Sequence, residues 1–268
     1  MSYGFGIFAC GDVGLASVKM FHASPRQLKL VVLDEANFWN KNKIILEELR
    51  SFPDTKVIYY SNDENLIKEL AGIDVVILAY WGKLIKGELF RLPRYGYINL
   101  HTSYLPYGKG KHPHYWSIVE DTPYGVSIMK IDEGLDTGDI IFQKEIKISW
   151  LDTGKSLYFK GIRAIEELLE EKKYDILNLD FCTKQQSGTG TFHYGKEIEE
   201  NSQIVLDRKY TAKDLLNILR ARTFAPFPAA YFIDHGEKYE VRINITKVEK
   251  PFDSKEIDYE KINMSISE

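Results

Sequence analysis

The stretch "GYINLH", Gly96–His101, runs apolar until Asn99 and His101 interrupt it. Residues two apart in a strand share a face, so these two polar groups project one way while Ile98 and Leu100 project the other. A strand covered on both faces carries such a pair only where it emerges from the core. In open α/β sheets that is the carboxyl end, where ligands bind.

Working outward, four earlier apolar runs have the same texture: "FGIFAC" (Phe5–Cys10), "LKLVVLD" (Leu28–Asp34), "KVIYY" (Lys56–Tyr60) and "DVVILAY" (Asp74–Tyr80). Helically spaced segments separate them, at Val13–Phe21, Ile44–Leu49 and Asn65–Leu70. Unalternating strands divided by helices predict a doubly wound, mostly parallel α/β sheet. Past His101, "YGVSIMKI" (Tyr124–Ile131) and "DIIFQKEIKI" (Asp139–Ile148) read as two strands joined by the turn-rich "DEGLDTGD". An amphipathic helix is expected from about Thr153 to Lys173. The polar stretch "TKQQSGTGT", Thr183–Thr191, reads as a linker. The expected organisation is a catalytic domain over 1–182 and a small C-terminal α+β subdomain over 192–268, built from "TAKDLLNILRA", "AAYFID" and "KYEVRINITKV".

With 268 residues, 44% of them hydrophobic, the chain can bury a sizeable core, and a net charge of −4 argues against a broad nucleic-acid footprint. Two cysteines, Cys10 and Cys182, build neither a disulfide framework nor a metal clip, so a cytoplasmic setting is expected. The N-terminus enters a strand-like run without an export leader, and the run "VVILAY" is too short to cross a bilayer, so no membrane is expected.

An amide beside an imidazole at a strand end suits stabilising an oxyanion and moving a proton; the alternative is a structural pair that ties down the next loop. A turn packed beside the sheet end would bring the Asp136 carboxylate to His101, where it would orient the ring. Asp in a Gly-rich turn equally supports the turn itself. Together the residues make an Asn-x-His … Leu-Asp-x-Gly pattern. "INLHTSYLP" followed by "GVSIMKIDEGLDTGDII" resembles the formyltransferases that use N10-formyltetrahydrofolate, from "LAYWGKLI" (Leu78–Ile85) through "GDII". The resemblance implies a Rossmann-like formyltransferase fold and carries that family's catalytic Asn, His and Asp onto Asn99, His101 and Asp136. It also implies a folate pocket lined by Lys83, Ile85, Asp132, Glu133 and Asp136, largely through backbone groups. Further on, "PFPAA" stands where many relatives have Trp-Pro-Gly, so Phe224 and Phe227 read as packing residues.

Gly11 and Gly14 in "ACGDVGLASVKMF" occupy a strand-to-helix turn without matching GxGxxG, which leaves a nucleotide-binding oxidoreductase as a rival. His101, His112 and His114 lack metal-ligand spacing, so no metal is expected. Family members differ in their acceptor. "CGDVG" does not match the phosphate loop of glycinamide ribonucleotide enzymes. The tail "VEKPFDSKEIDYEKINMSISE" lacks a basic face, so methionyl-tRNA formyltransferase is the alternative and not the first reading. "SYLPYGKGKHPHYWSI" most resembles the enzymes that formylate dTDP-linked 3- or 4-amino-dideoxy sugars for surface polysaccharide such as lipopolysaccharide O-antigen. Tyr104, Lys109, Lys111, His112, His114 and Trp116 are the candidates to hold that nucleotide sugar, with Tyr107 and Tyr115 as further stacking rings. A homodimer through the C-terminal subdomain is expected.

Overall fold

The computed structural model describes residues 3–35 and 41–249; most of the C-terminal tail quoted above lies outside the described residues. In chain order the elements are β1 (Phe5–Ala9), α1 (Gly11–Met20), β2 (Leu28–Leu33), α2 (Asn42–Glu48), β3 (Lys56–Tyr59), α3 (Asp63–Glu69), β4 (Val75–Ala79) and β5 (Tyr97–His101). They continue as β6 (Lys109–Gly110), α4 (Pro113–Val119), β7 (Tyr124–Lys130), β8 (Ile140–Ile146), α5 (Gly154–Asn178), β9 (Phe192–His193), α6 (Glu197–Asn201), α7 (Ala212–Arg222), β10 (Ala230–Asp234) and β11 (Glu237–Val241).

Seven strands form one sheet in the order β3-β2-β1-β4-β5-β7-β8. The first five are parallel, and β7 and β8 add antiparallel beyond β5. The chain therefore reverses winding direction beside β1, and the carboxyl ends of β1, β2, β4 and β5 open on one edge. On one face Phe5, Ile7, Ala9, Val75, Ile77, Ala79, Ile98 and Leu100 join residues of α1, α2 and α5 in the larger core. On the other, Phe8, Leu30, Val32, Val76, Leu78 and Tyr97 pack under α3. Burial on both sides explains why these strands lack alternation.

Gly14 is explained by packing, since a Cβ there would lie 2.9 Å from the Ala9 carbonyl carbon; α1 crosses β1 too closely for a side chain. Helix α5 begins with a capping box in which Thr153 and Ser156 satisfy each other's backbone N–H groups, a motif that contributes about 1 kcal/mol. It runs five residues past the expected end at Lys173, because Ile176 and Leu177 are buried and extend the apolar stripe. Of "KYEVRINITKV" only its first four residues, Lys238 to Val241, lie within a strand, β11, paired antiparallel with β10. The C-terminal elements are not set apart from the sheet: Ile198 and Ala221 share a cluster with Tyr115, Trp116 and Leu157, and Phe224 joins the larger core.

Candidate active site

Strand β5 delivers Asn99 and His101 to the face that carries Tyr97, beyond the reach of α3. The turn after His101 is held by a buried node. Ser127 on β7 donates to Ser103 O (2.7 Å) and accepts from the amides of Leu105 (3.3 Å) and Gln143 (3.0 Å), while Gln143 also donates to Leu105 O (2.8 Å). Gly108 O is thereby set 3.2 Å from His101 Nε2.

Asp136 arrives from the β7–β8 loop with φ +53, a left-handed conformation that costs a non-glycine residue about 1 kcal/mol or more. That backbone aims Oδ2 at the Gly110 amide (2.9 Å) and leaves it 3.7 Å from His101 Nε2. The carboxylate is thus fixed by a backbone donor and acts on the imidazole through charge and not through a direct hydrogen bond. Both groups facing Nε2 are acceptors, so Nε2 carries the proton and Nδ1 keeps its lone pair in the neutral ring. No hydrogen bond to the Asn99 side-chain amide occurs among the described residues. The structure therefore brings His101 and Asp136 together and stations Asn99 beside them on the same strand face.

The positions on the folate side of the resemblance are mixed. Lys83 forms an ion pair with Asp34, at the end of β2, and its ammonium also lies 4.9 Å from the Tyr60 ring and 5.3 Å from the Trp81 ring. Ile85 packs on the α3-side cluster together with Trp81. Asp132 closes its own turn, accepting from Gly134 N (3.1 Å) and Thr137 Oγ1 (2.6 Å), and Glu133 is exposed. Beneath Lys83, burial and then the Asp34 charge push the Cys10 thiol up to about 12, so it is no nucleophile.

The acceptor side needs corrections. Trp116 is 5% exposed and stacked on His193 at 3.6 Å, so its ring has no face left for a base or sugar. Tyr115 is fully buried and donates to Asn201 (2.7 Å). Both belong to the buried side of α4. His114 packs edge-on against Tyr158 (5.4 Å) and Phe224 (5.9 Å); burial first, then the charges of His112 and Arg222, hold its imidazole neutral down to about 3. His112, left-handed at φ +59, is likewise lowered to about 4 by burial and by Arg222 and Lys111. Neither ring is charged at neutral pH, so neither grips an anion electrostatically. Tyr104 stays half-buried, Lys111 is exposed, and Lys109 donates through Nζ to Thr189 O (3.2 Å).

The polar stretch read as a linker lies against the site. Lys184 pairs with Ile140, Gln186 bonds Asp136 O and Gly138 O, and Thr191 Oγ1 accepts from Gly108 N (2.8 Å). Composition alone had suggested solvent, whereas its side chains spend their polarity on loop backbone. The sequence reading also passed over His193, whose nitrogens meet Glu197 (2.8 Å) and Glu120 (2.7 Å). The four-residue spacing to Glu197 was a visible signal, but Glu120 is too distant in sequence to have been one. No group of metal-binding side chains occurs among the described residues, and no described helix is long and apolar enough to cross a membrane.

Residues 56–171, which span β5, His101 and the Asp136 loop, match the formyl transferase family, and residues 197–247 match the N-formyltransferase dimerization C-terminal domain. The chain belongs to the formyltransferase family. A methionyl-tRNA formyltransferase from Francisella philomiragia is 33% identical over 202 residues, covering 75% of this chain and 60% of that relative. The chain spans about 60% of the length of the curated relatives it matches. Among solved structures, a 4-N formyltransferase from Francisella tularensis superposes with a TM-score of 0.73 at 25% identity, over 91% of this chain and 98% of that one. An N-formyltransferase from Helicobacter canadensis, in complex with folinic acid and dTDP-3-aminofucose, gives a TM-score of 0.69 at 22% identity, covering 87% of this chain and 85% of that one. The formyltransferase fold expected from the sequence is the fold observed.

Proposed function

We propose that this formyltransferase-family chain moves the formyl group of N10-formyltetrahydrofolate onto the amine of a nucleotide-linked amino-dideoxy sugar. The observation that carries the reading is the juxtaposition of His101 with Asp136 at the carboxyl end of β5, on the strand face that also carries an Asn99 amide no described residue engages. Its substrate class is supported by the dimerization-domain match at 197–247 and by the nucleotide sugar bound to the Helicobacter neighbour. The same evidence supports a homodimer through the C-terminal unit.

Asn99 and the protonated form of His101 supply hydrogen bonds to the oxyanion as the sugar amine attacks the formyl carbon, and losing one such donor costs about 10²–10³ in turnover. His101 then passes protons, directly or through water: the amine gives one up, and N10 takes one as its bond to the formyl carbon breaks. The Asp136 carboxylate stands 3.7 Å from Nε2, on the side of the ring away from Nδ1. The donor side falls to the backbone of the 131–139 loop and the 81–85 segment, since the side chains of Asp132 and Lys83 are engaged within the protein. Lys111, exposed, is the cation this reading assigns to a diphosphate, with Lys109 two positions away.

Incubation with formyl-folate and a panel of nucleotide-linked 3- and 4-amino sugars is expected to add about 28 daltons, one CO, to a member of the panel. No gain on any sugar, with binding of initiator tRNA that weakens steeply with salt, would favour the second reading. That reading, a methionyl-tRNA formyltransferase, is supported by the 33% identity to the Francisella philomiragia enzyme.

A further inference from the structure

We infer that Gln186 is a positioning residue for the formyl transfer, holding the Asp136 carboxylate against Gly110 and His101; the catalytic half of this inference rests on the proposed function. Gln186 Nε2 donates to Asp136 O at 2.9 Å and to Gly138 O at 2.8 Å, both across about fifty positions of sequence. Gln186 Oε1 is buried and has no donor among the described residues. Turning the amide over would pair neither carbonyl, so the side chain accepts one orphaned acceptor in order to satisfy two.

Those two carbonyls bracket the residue that most needs fixing. Asp136 sits at φ +53, where a residue with a Cβ stays only if its surroundings over-determine it. Pinning the Asp136 carbonyl sets the peptide plane that follows, and with it the direction of the carboxylate. Oδ2 then reaches Gly110 N at 2.9 Å and His101 Nε2 at 3.7 Å. The same strap grips the opposite loop. Thr191 Oγ1 accepts from Gly108 N (2.8 Å), the Thr191 amide donates to Pro106 O (3.2 Å), and β9 pairs with β6. Gly190 is needed for this approach, at φ +62 with no room for a Cβ, which would fall 2.0 Å from Pro106 O. One continuous segment, 183–193, therefore fastens both the loop that presents Gly108 O to His101 and the loop that presents Asp136.

The test pairs an activity measurement with one that needs no substrate. In full-length Gln186→Leu, and in the near-isosteric Gln186→Glu that lacks both donors, kcat for formyl transfer is expected to fall about 10–100-fold, as misplacing a catalytic group by about 1 Å does. KM for both substrates is expected to stay within about twofold. Amide hydrogen exchange at Gly110, whose donor bonds the Asp136 carboxylate, is expected to quicken at least about tenfold while protection in β1 and β4 is retained. Unchanged Gly110 exchange in both variants overturns the inference, whatever happens to kcat. Quickened exchange with full kcat overturns its catalytic half. Wild-type protein inactive on every acceptor would sink the proposed function instead, and the exchange measurement would still decide whether Gln186 holds Asp136.

Discussion

Two histidines, His101 and His193, lie in the same region of the molecule and are held in opposite ways. His193 is clamped, with a carboxylate on each ring nitrogen at 2.7 and 2.8 Å and the Trp116 indole stacked on its face. The hydrogen bond to His193, then the one from the Tyr194 amide, holds the Glu197 carboxyl below its ordinary range. His101 has one carboxylate at 3.7 Å and one carbonyl at 3.2 Å, both on the same nitrogen. The first ring is fastened at both nitrogens and on one face; the second has both of its contacts on Nε2, with no partner on Nδ1 among the described residues. The proton-transfer role proposed for His101 draws on that difference.

Substitutions can test that contrast. The largest expected effect is at His101: Ala there should cut formyl transfer by about 10³-fold or more while the melting temperature stays within a few degrees. Near-normal turnover would remove His101 from the chemistry. Trp116→Ala should act the other way, destabilising the protein by about 3–5 kcal/mol in denaturant unfolding, with little change in kcat per folded molecule. Should Trp116→Ala instead raise KM for the nucleotide sugar at unchanged stability, the ring would return to the substrate side. His193→Gln should lower stability less than Trp116→Ala does in the same denaturant unfolding, because the hydrogen bonds it removes are partly exposed.

A further test concerns pH. His112 and His114 have folded values depressed to about 4 and about 3, below the 6.5 of a free imidazole. In that interval the unfolded chain binds more protons than the native one, so stability rises with pH and is lost as pH falls from 6.5 toward 3. Replacing His114 with Phe should flatten that acid limb in melts across the range. An unaltered slope would show that His114 already ionises within the fold.

Much of the sheet was legible because buried parallel strands leave uninterrupted apolar runs, and "GYINLH" marked its own carboxyl end by turning polar. Asp136 was reachable through the family pattern but not from spacing alone, since a Gly-rich turn gives Asp a local role by default. The acceptor loop misled for a definite reason. Tyr115 and Trp116 look like stacking rings in a list of residues, yet Pro113 opens a helix that turns both inward, and aromatic content does not say which way a ring faces. Gln186 and Thr191 left no signal because their partners are other residues' backbone groups, which a sequence does not distinguish.

The strap has a practical corollary for dissecting the chain. A protein cut at Lys184 would retain all seven strands, along with Asn99, His101 and Asp136, and would look complete by its sheet. It would nevertheless lack the brace on the Gly108 and Asp136 loops, so the smallest unit that keeps their arrangement extends at least to His193.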